Sequence, residues 1–465
     1  MVRLLFKSPP QRHLLMGVIH SGISPSSKII TCAFHNSRAA TVTGSPPDSP
    51  HYNVIIVGGG VVGSTLALNL SNKIPSLKIA LLHGDQSPPT RAGLGSTPMN
   101  PRAYALSPTS LNILGLDIVQ QLQQMGRVAS YDKIQVWESD GPSVLTFSAK
   151  DIDPIVSSYN FDDPQLIQLL DNTLGAVVED EVLIAFLWDK LRKRSNVSLL
   201  CPCKIHHVQP NHTNPRVNFS YLDSVSRHDI HEHTTQTVQS ATTDLLIAAD
   251  GANSFVRRYV GSFPIISLSY GRRAITCTVL MNQSLNRIAF QRFQPNGPIA
   301  LLPIQGIPTK TGHYYANIVW STTPDEARTL NSLTDAEFTN ELNQILQMGP
   351  TTTPTLYSPF STPFAKAAYG LDRILQSLNT GLTMSNWTER PESSFIVPPI
   401  INQVVGPRLD FDLNLMQATK YVSGRIILVG DAAHSVHPMA GTNFFIHDKS
   451  GYQIYLSHSL FSIYM

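Results

Sequence analysis

Long apolar runs are absent from this sequence: no stretch approaches the roughly 18 consecutive apolar residues that a membrane-spanning helix needs. Cysteine is scarce, with four residues in a chain of 465. Cys201 and Cys203 are separated by a single residue, which is too close for the usual C-x-x-C redox or zinc patterns, so ordinary reduced thiols are expected. With 42% hydrophobic and 14% charged residues, the composition favours a globular enzyme of two or three domains.

Acidic residues are missing from the first 47 positions, which carry instead five cations, Arg3, Lys7, Arg12, Lys28 and Arg38. This composition is typical of a mitochondrial transit peptide, and a disordered tail is the alternative interpretation. Removing these five cations from the 34 basic residues leaves 29 against 32 acidic ones, a net charge of −3. Because the body of the protein is not basic, nucleic acid is not expected as a partner.

The first motif in the chain is a glycine fingerprint. The apolar run Val54–Val57 predicts a buried parallel strand, and Gly58, Gly60 and Gly63 follow it in the spacing G-x-G-x-x-G before a helical pattern. The first glycine allows a tight turn, the second lets backbone approach a pyrophosphate, and the third lets the helix pack closely on the strand. A dinucleotide site is predicted here, with a structural glycine-rich turn as the alternative.

A dinucleotide site also requires a hydroxyl-binding side chain after the second strand, which is predicted at Lys78–Leu82. The position where an acid is usual holds His83, and Asp85 follows two residues later. An imidazole can bond a ribose hydroxyl, and so can the carboxylate. Both residues are therefore candidate cofactor contacts.

Arg102 is the candidate for an anionic part of the cofactor, although a surface arginine is the simpler alternative. It follows a loop rich in proline, glycine and serine. Ser107 and Pro108 then mark the beginning of a helix.

Two further aspartates come directly after apolar strands, where α/β sheets bind ligands. Asp250 lies in an Asp-Gly turn after the run that begins at Asp244, and Asp431 follows Gly430 near the end of the chain. Both aspartates are predicted cofactor contacts. His434 and His437, just beyond Asp431, are equally consistent with lining the cofactor pocket and with structural packing.

The middle of the chain changes character. Four strands are predicted between about residues 271 and 321. One helix is predicted before them, over Val177–Lys193, with Glu179 and Asp180 in its first turn, and another after them, over Thr334–Gln347. The polar stretch containing His231 and His233 is predicted to be a solvated loop and not a metal site, because no cysteine or carboxylate cluster accompanies it at ligand spacing.

Three of these segments, in this order, resemble the class A flavoprotein aromatic hydroxylases: Gly58–Gly63, Asp250–Gly251 with Arg257, and Gly430–Asp431. Within that group the similarity is to the ubiquinone-biosynthesis hydroxylases, the UbiH/UbiF/Coq6-like family. Further matching segments are Arg102–Ser107, Tyr270–Ala274, Phe293–Pro303, Ile318–Ser321 and Gly430–Gly441. The resemblance covers about residues 52–441, and the leader points to a mitochondrial member.

The resemblance implies an α/β fold in which a Rossmann-like FAD-binding domain carries an inserted, sheet-rich substrate domain. Residues 52–265 and 405–441 would form the discontinuous FAD-binding domain and residues 266–404 the substrate domain. Gly58, Gly60 and Gly63 would hold the pyrophosphate, His83 or Asp85 the adenosine ribose, and Arg102, Asp250, Gly430, Asp431 and Pro438 further parts of FAD. No catalytic side chain and no metal are implied, since the cofactor supplies the chemistry.

The activity implied is that of an oxidoreductase: an O2-using monooxygenase that hydroxylates C5 of a polyprenylated 4-hydroxybenzoate-type ring in ubiquinone biosynthesis. Its electrons would come from NAD(P)H or from ferredoxin and ferredoxin reductase. Other ubiquinone-biosynthesis proteins would be partners, and the substrate's tail suggests peripheral contact with the matrix side of the mitochondrial inner membrane. A catalytically impaired binding subunit of the biosynthetic complex is the alternative. A protein similar to GDP-dissociation inhibitors would share the fingerprint but would not need Gly430–Asp431.

The sequence departs from the family after Gly441. The family continues with G-Q-G-x-N-x-G, whereas this chain continues with Thr442 and ends at Met465. Residues 442–465 are therefore expected to be a divergent, truncated tail. Phe444, Phe445 and Ile446 are too bulky for close backbone approach to a flavin, so weak FAD binding is expected.

Overall fold

The computed structural model describes part of the chain, and the account below is confined to that part. The described residues are 49–84, 88, 90–94, 100–151, 164–170, 172–211, 213–222, 237–305, 309, 312–350, 395–436, 453–454 and 463–464. The leader (residues 1–47), Asp85, the polar loop with His231 and His233, Pro438 and most of the tail lie outside them.

The strands, in chain order, are β1 (His51–Val57), β2 (Ile79–Leu82), β3 (Ala103–Leu106), β4 (Val128–Tyr131), β5 (Lys133–Glu138), β6 (Val144–Ser148), β7 (Gly175–Glu179), β8 (Val197–Leu200), β9 (Cys203–Gln209), β10 (Arg216–Tyr221), β11 (Gln239–Ala248), β12 (Ile265–Met281), β13 (Ile288–Phe293), β14 (Ile299–Pro303), β15 (Tyr314–Thr322), β16 (Ile401–Ala418), β17 (Val422–Ser423), β18 (Ile426–Leu428), β19 (His434–Ser435), β20 (Gln453–Ile454) and β21 (Ile463–Tyr464). The α-helices are α1 (Val61–Lys73), α2 (Pro108–Leu114), α3 (Leu116–Gln124), α4 (Pro164–Leu170), α5 (Asp180–Leu191), α6 (Phe255–Val260), α7 (Pro324–Ser332) and α8 (Asp335–Gln347). Short 3₁₀ turns cover Arg91–Leu94 and Gly430–Ala432.

The first sheet has the strand order β17-β18-β11-β1-β2-β8, and β10 and β9 extend it from β11. Its central strands β18, β11, β1, β2 and β8 run parallel. Parallel strands are buried on both faces, which explains the continuous apolar sequence of β1. Ile56 packs in the core that includes α1 and α5, and Ile55 packs in the core on the opposite face, which includes β9, β10 and α6.

The second sheet has the order β19-β16-β12-β15-β14-β13-β5-β6. Its pairs are antiparallel except for β13 with β5. Alternate residues of β12, including Ile275, Cys277 and Val279, pack in the core that includes α7 and α8. A capping box formed by Thr334 and Glu337 begins α8, where an N-cap side chain contributes about 1 kcal/mol.

A third, three-stranded sheet has the order β3-β7-β4 and is antiparallel. It overturns one expectation, because the helix predicted from Val177 begins only at Asp180. Residues Gly175–Glu179 are instead a fully buried strand. The apolar run Ala176–Val178 lacks the polar residues of an amphipathic helix, and pairing on both sides satisfies its backbone in a sheet.

Most other elements agree with the sequence. The strands expected in the middle of the chain correspond to β12, β13, β14 and β15, and Cys201, Cys203 and Cys277 are free thiols. Burial raises the pKa of the Cys203 thiol to about 11 and that of Cys277 to about 12, as expected for inert structural cysteines. Strands β5 and β6 lie inside the range expected for the FAD-binding domain but pair in the second sheet.

Candidate functional site

The segments identified in the sequence meet at one edge of the first sheet. Val57 is in register with Leu82 on one side and with Ala248 on the other, and Ala248 is in register with Leu428. These four residues are the carboxyl ends of neighbouring parallel strands. The glycine loop (Gly58–Gly63), His83, Asp250 and Gly430–Asp431 therefore lie along the same edge of the sheet. In open α/β sheets this edge, where strand order reverses, is where ligands bind.

The three glycines have different surroundings. A Cβ built on Gly58 (φ +108°) would lie 2.2 Å from the Ala249 carbonyl oxygen, and one on Gly63 would lie 1.9 Å from the Gly58 carbonyl oxygen. Side chains are therefore excluded there by backbone. A Cβ on Gly60, the N-cap of α1, would meet no described heavy atom within 4 Å. The open space before an uncapped helix N-terminus fits a pyrophosphate, which needs close backbone approach and free N–H donors.

The peptide groups of Gly59 are held from both sides. Trp188 of α5 donates from Nε1 to the Gly59 carbonyl oxygen at 2.9 Å, and the Gly59 N–H donates to His83 Nδ1 at 3.3 Å. A neutral imidazole that accepts at Nδ1 carries its proton on Nε2. His83 therefore supports the glycine loop, and its other nitrogen is a donor suited to a ribose oxygen.

The two carboxylate oxygens of Asp250 differ in their hydrogen bonding. Its Oδ2 accepts from the N–H groups of Phe255 (2.7 Å) and Val256 (3.2 Å) at the beginning of α6. Its Oδ1 is buried and has no hydrogen-bond partner among the described residues. A buried carboxylate oxygen without a donor is costly, so this atom fits a hydroxyl group or a water attached to a bound cofactor.

Asp431 is half-buried and lies near other charged and polar side chains. Burial raises the pKa of its carboxyl group above the ordinary 3.8. Burial also raises the pKa of Tyr104 well above 10.0, and Asp180 and Asp431 contribute to the same shift. The Tyr104 hydroxyl donates a hydrogen bond to Asp180 Oδ1 at 2.7 Å. Arg102 opposes that shift, so its guanidinium lies within electrostatic range of the same tyrosine. Tyr104 therefore lies within electrostatic range of both Arg102 and Asp431.

Several residues that organise this site were not identified from sequence. The clearest is the buried pair of Arg127 with Glu179, in which Nε and Nη2 donate to the two carboxylate oxygens at 2.8 and 2.9 Å. Glu179 is 1% exposed and also accepts from the Asn100 N–H at 3.0 Å. The sequence predicts Glu179 in the first turn of a helix, but it ends β7 and holds the backbone of Asn100, two residues before Arg102. No local signal identifies a pair that is separated by 52 positions.

Two of the predicted site residues, Asp85 and Pro438, lie outside the described residues, and so does His437. In the part that is described, no group of three or more metal-ligating side chains occurs. No helix among the same residues is both long and apolar enough to cross a membrane.

Comparison with known proteins accords with this geometry. Residues 393–450 match the model of a family described as FAD binding domain. The ubiquinone biosynthesis monooxygenase COQ6, mitochondrial, of Rattus norvegicus is 30% identical over 90% of this chain and 78% of its own length. The proteins of the same name from Homo sapiens and Drosophila melanogaster are 28% and 29% identical, over 88% and 84% of this chain and 78% and 71% of their own lengths.

Solved structures confirm the fold. The chain is similar to the p-nitrophenol 4-monooxygenase PnpA from Pseudomonas putida DLL-E4, with a TM-score of 0.53, 17% identity, and coverage of 85% of this chain and 76% of that one. It is also similar to pqsL, a probable FAD-dependent monooxygenase from Pseudomonas aeruginosa, with a TM-score of 0.54, 16% identity, and coverage of 85% and 82%. With FAD as its cofactor and an aromatic-hydroxylase fold, the chain belongs to the COQ6 family of flavin-dependent monooxygenases of ubiquinone biosynthesis.

Proposed function

We propose that this protein hydroxylates C5 of a polyprenylated 4-hydroxybenzoate-type ring, using FAD, O2 and electrons from NAD(P)H or from ferredoxin and ferredoxin reductase. The observation that carries the proposal is the convergence of the glycine loop, Asp250 and Gly430–Asp431 at one edge of the first sheet, in a chain of the COQ6 family. The rat, human and fly relatives are named as ubiquinone biosynthesis monooxygenases, which supports the same pathway for this chain.

In the proposed arrangement each part of the chain has a separate task. Gly60 and the N-terminus of α1 hold the pyrophosphate, His83 or Asp85 the adenosine ribose, and Asp250 a hydroxyl or water at the middle of the cofactor. Arg102 and Asp431, with Gly430 and Pro438, serve the flavin end. FAD supplies the activation of O2, which no side chain can perform. The protein orients the ring and excludes water.

The domain assignment is part of the proposal. Residues 52–265 and 405–441 hold FAD and residues 266–404 cover the substrate, with β5, β6 and most of β16 extending the second sheet across that boundary. We place the protein in mitochondria, peripherally on the matrix side of the inner membrane, together with other ubiquinone-biosynthesis proteins. The acid-free leader and the mitochondrial names of the relatives support this location.

The decisive experiment supplies purified, FAD-supplemented protein with a short-chain prenylated 4-hydroxybenzoate and either NADPH or a ferredoxin system. Addition of one oxygen atom, located at C5 by NMR, is the expected result. A hydroxyl group at another ring position would correct the regiochemistry. A flavin-loaded sample that produces no hydroxylated ring with either donor would contradict the enzyme proposal and favour the alternative of a binding subunit.

A further inference from the structure

The carbonyl group of Pro101 is held by two polar side chains of the second sheet. Thr276 of β12 donates from Oγ1 to this oxygen at 2.8 Å, and Asn317 of β15 donates from Nδ2 at 2.9 Å. Pro101 is buried and immediately precedes Arg102. The two donors lie 175 and 216 positions along the chain from their acceptor.

Both donors lie on the same face of the second sheet. Asn317 is in register with Thr278, two residues along β12 from Thr276, so the two donors are diagonal neighbours. Since Cys277 packs on the opposite face with α7 and α8, Thr276 and Asn317 point away from that core. They are also linked, because Asn317 Nδ2 lies 3.3 Å from Thr276 Oγ1.

Burying these two side chains is costly unless their polar groups are satisfied. Thr276 is 5% exposed and Asn317 is 1% exposed. Valine and leucine would fill the same positions of a sheet without that cost. The need of the buried Pro101 carbonyl oxygen for a hydrogen-bond donor explains why polar side chains occupy these two sheet positions.

The backbone on either side of Pro101 is tied to a different part of the fold. The Asn100 N–H donates to Glu179 Oε2 at 3.0 Å, and the Arg102 carbonyl oxygen accepts from the Asp180 N–H at 2.9 Å. Three consecutive residues are therefore fixed at three points, and only the middle one is held by the second sheet. The Arg102 side chain extends from this fixed backbone and is exposed.

We propose that Thr276 and Asn317 are positioning residues for the flavin end of the cofactor site. By holding the Pro101 carbonyl they set the location of Arg102, and they couple the second sheet, which faces the substrate, to the part of the protein that contacts the flavin. This inference rests on the proposed function, in which Arg102 serves the flavin end and the glycine loop serves the pyrophosphate.

The test compares FAD with ADP, because ADP occupies the adenosine and pyrophosphate contacts but does not reach Arg102. The variants are Thr276→Val and Asn317→Leu, which preserve size and remove the donors. Each is expected to raise the FAD dissociation constant about three- to tenfold, the equivalent of the lost hydrogen bond to the Pro101 carbonyl, and to alter the visible circular dichroism of bound FAD. The ADP dissociation constant should remain within about twofold of the wild-type value, because the glycine loop is untouched.

Two further variants provide the controls. Thr276→Ser keeps the hydroxyl group and is expected to restore FAD binding. Thr322→Val removes a buried hydroxyl of the same strand as Asn317, one that donates to Glu326 and not to Pro101, and should leave both ligands bound as in the wild type. In the background of Arg102→Met, the effect of Asn317→Leu on FAD binding should disappear, because the residue acts through Arg102.

Equal weakening of FAD and ADP in Thr276→Val and Asn317→Leu would overturn the proposal and leave these residues a general structural role. An equal effect of Thr322→Val, or an unchanged effect of Asn317→Leu in the Arg102→Met background, would do the same. These measurements need bound ligand and no turnover, so a protein that binds FAD but hydroxylates no ring would contradict the proposed function without affecting this result.

Discussion

Arg257 donates from Nη1 to the carbonyl oxygen of Ala432 at 2.7 Å, across 175 positions of the chain. Its Nη2 donates to the Ala252 carbonyl oxygen at 2.5 Å. The buried guanidinium thus joins the Asp-Gly turn after β11 to the Gly-Asp turn after β18. Burial lowers the pKa of Arg257, but a guanidinium remains charged, so both hydrogen bonds are charge-assisted.

Arg257→Met should therefore destabilise the protein and weaken FAD binding together. It leaves the buried Ala432 carbonyl without its charged donor, and we expect the free energy of unfolding to fall by about 3 kcal/mol. Urea unfolding and a flavin fluorescence titration measure the two effects. Arg258→Met is the matched control, since the donors of Arg258 bond only the local carbonyls of Asn253 and Ser254, and it should cost less than about 1 kcal/mol. Equal losses in the two variants would show that Arg257 does not join the turns.

We expect opposite outcomes for two substitutions in the glycine loop. Gly60 has φ −70°, which valine can adopt, and open space around its Cβ position, so Gly60→Val should fold normally. Its FAD affinity should fall by about a hundredfold or more, because the branched side chain fills the space for the pyrophosphate. Gly63→Ala should instead fail to fold or unfold at a lower temperature, because its Cβ meets the Gly58 carbonyl oxygen. Thermal unfolding and FAD titration separate the two results, and a normal flavin content in Gly60→Val would refute the phosphate-loop assignment.

Trp188 should contribute to cofactor binding without contacting the cofactor. Trp188→Phe keeps the aromatic packing but removes one of the two side-chain donors to the Gly59 carbonyl, so FAD and ADP should both bind about three- to tenfold more weakly. Trp137→Phe is a matched control, because Trp137 of β5 is equally buried and donates from Nε1 to the carbonyl oxygen of Met348, at the end of α8, at 3.0 Å. Dissociation constants from fluorescence titration give the comparison. The role of Trp188 would be contradicted if Trp137→Phe weakened the binding of FAD and ADP and Trp188→Phe did not.

Asp431 should make the stability of the cofactor-free protein depend on pH. Because burial raises the pKa of this carboxyl group in the folded state, the folded protein binds the proton more tightly than the unfolded chain does. Stability should therefore fall as the pH rises from the ordinary carboxyl pKa of 3.8 toward the raised value, and remain lower above it.

Asp431→Asn tests this directly, since it removes the titrating group. At pH 7 the cofactor-free variant should be more stable than the wild type, whereas it should bind FAD less tightly. Urea unfolding at several pH values measures the first effect. Asp325→Asn, at a carboxylate that is 86% exposed, should change neither property. A variant of Asp431 that is less stable at neutral pH would show that the carboxylate is stabilised in the folded state.

The leader can be tested independently of the fold. A reporter fused to residues 1–50 should enter mitochondria, because the first 47 residues are cationic and contain no acid. The control is the same fusion with Arg3, Lys7 and Arg12 replaced by glutamate, which should remain in the cytosol. A cytosolic location of the unaltered fusion would remove the sequence support for a mitochondrial protein.

The sequence alone was sufficient for features that arise within a few residues of each other. The strand of Val54–Val57, the glycine spacing after it, the helix start at Ser107 and the helix predicted over Thr334–Gln347 follow from local patterns, and the structure has all of them. The edge at which Asp250 and Asp431 meet was also predictable, since parallel strands share the orientation of their carboxyl ends. Local sequence misled where a buried strand runs into a helix, at Ala176–Asp180, because an apolar run has no period.

Tertiary structure decided which side chains support that edge. The bonds from Trp188 to Gly59, from Arg127 to Glu179 and from Asn317 to Pro101 join residues that are 129, 52 and 216 positions apart. No local pattern in the sequence shows which acceptor each of these donors binds. The role of each donor appears only when folding brings it to its acceptor, because the cost of burying a polar group depends on the surrounding structure and not on its neighbours in the chain.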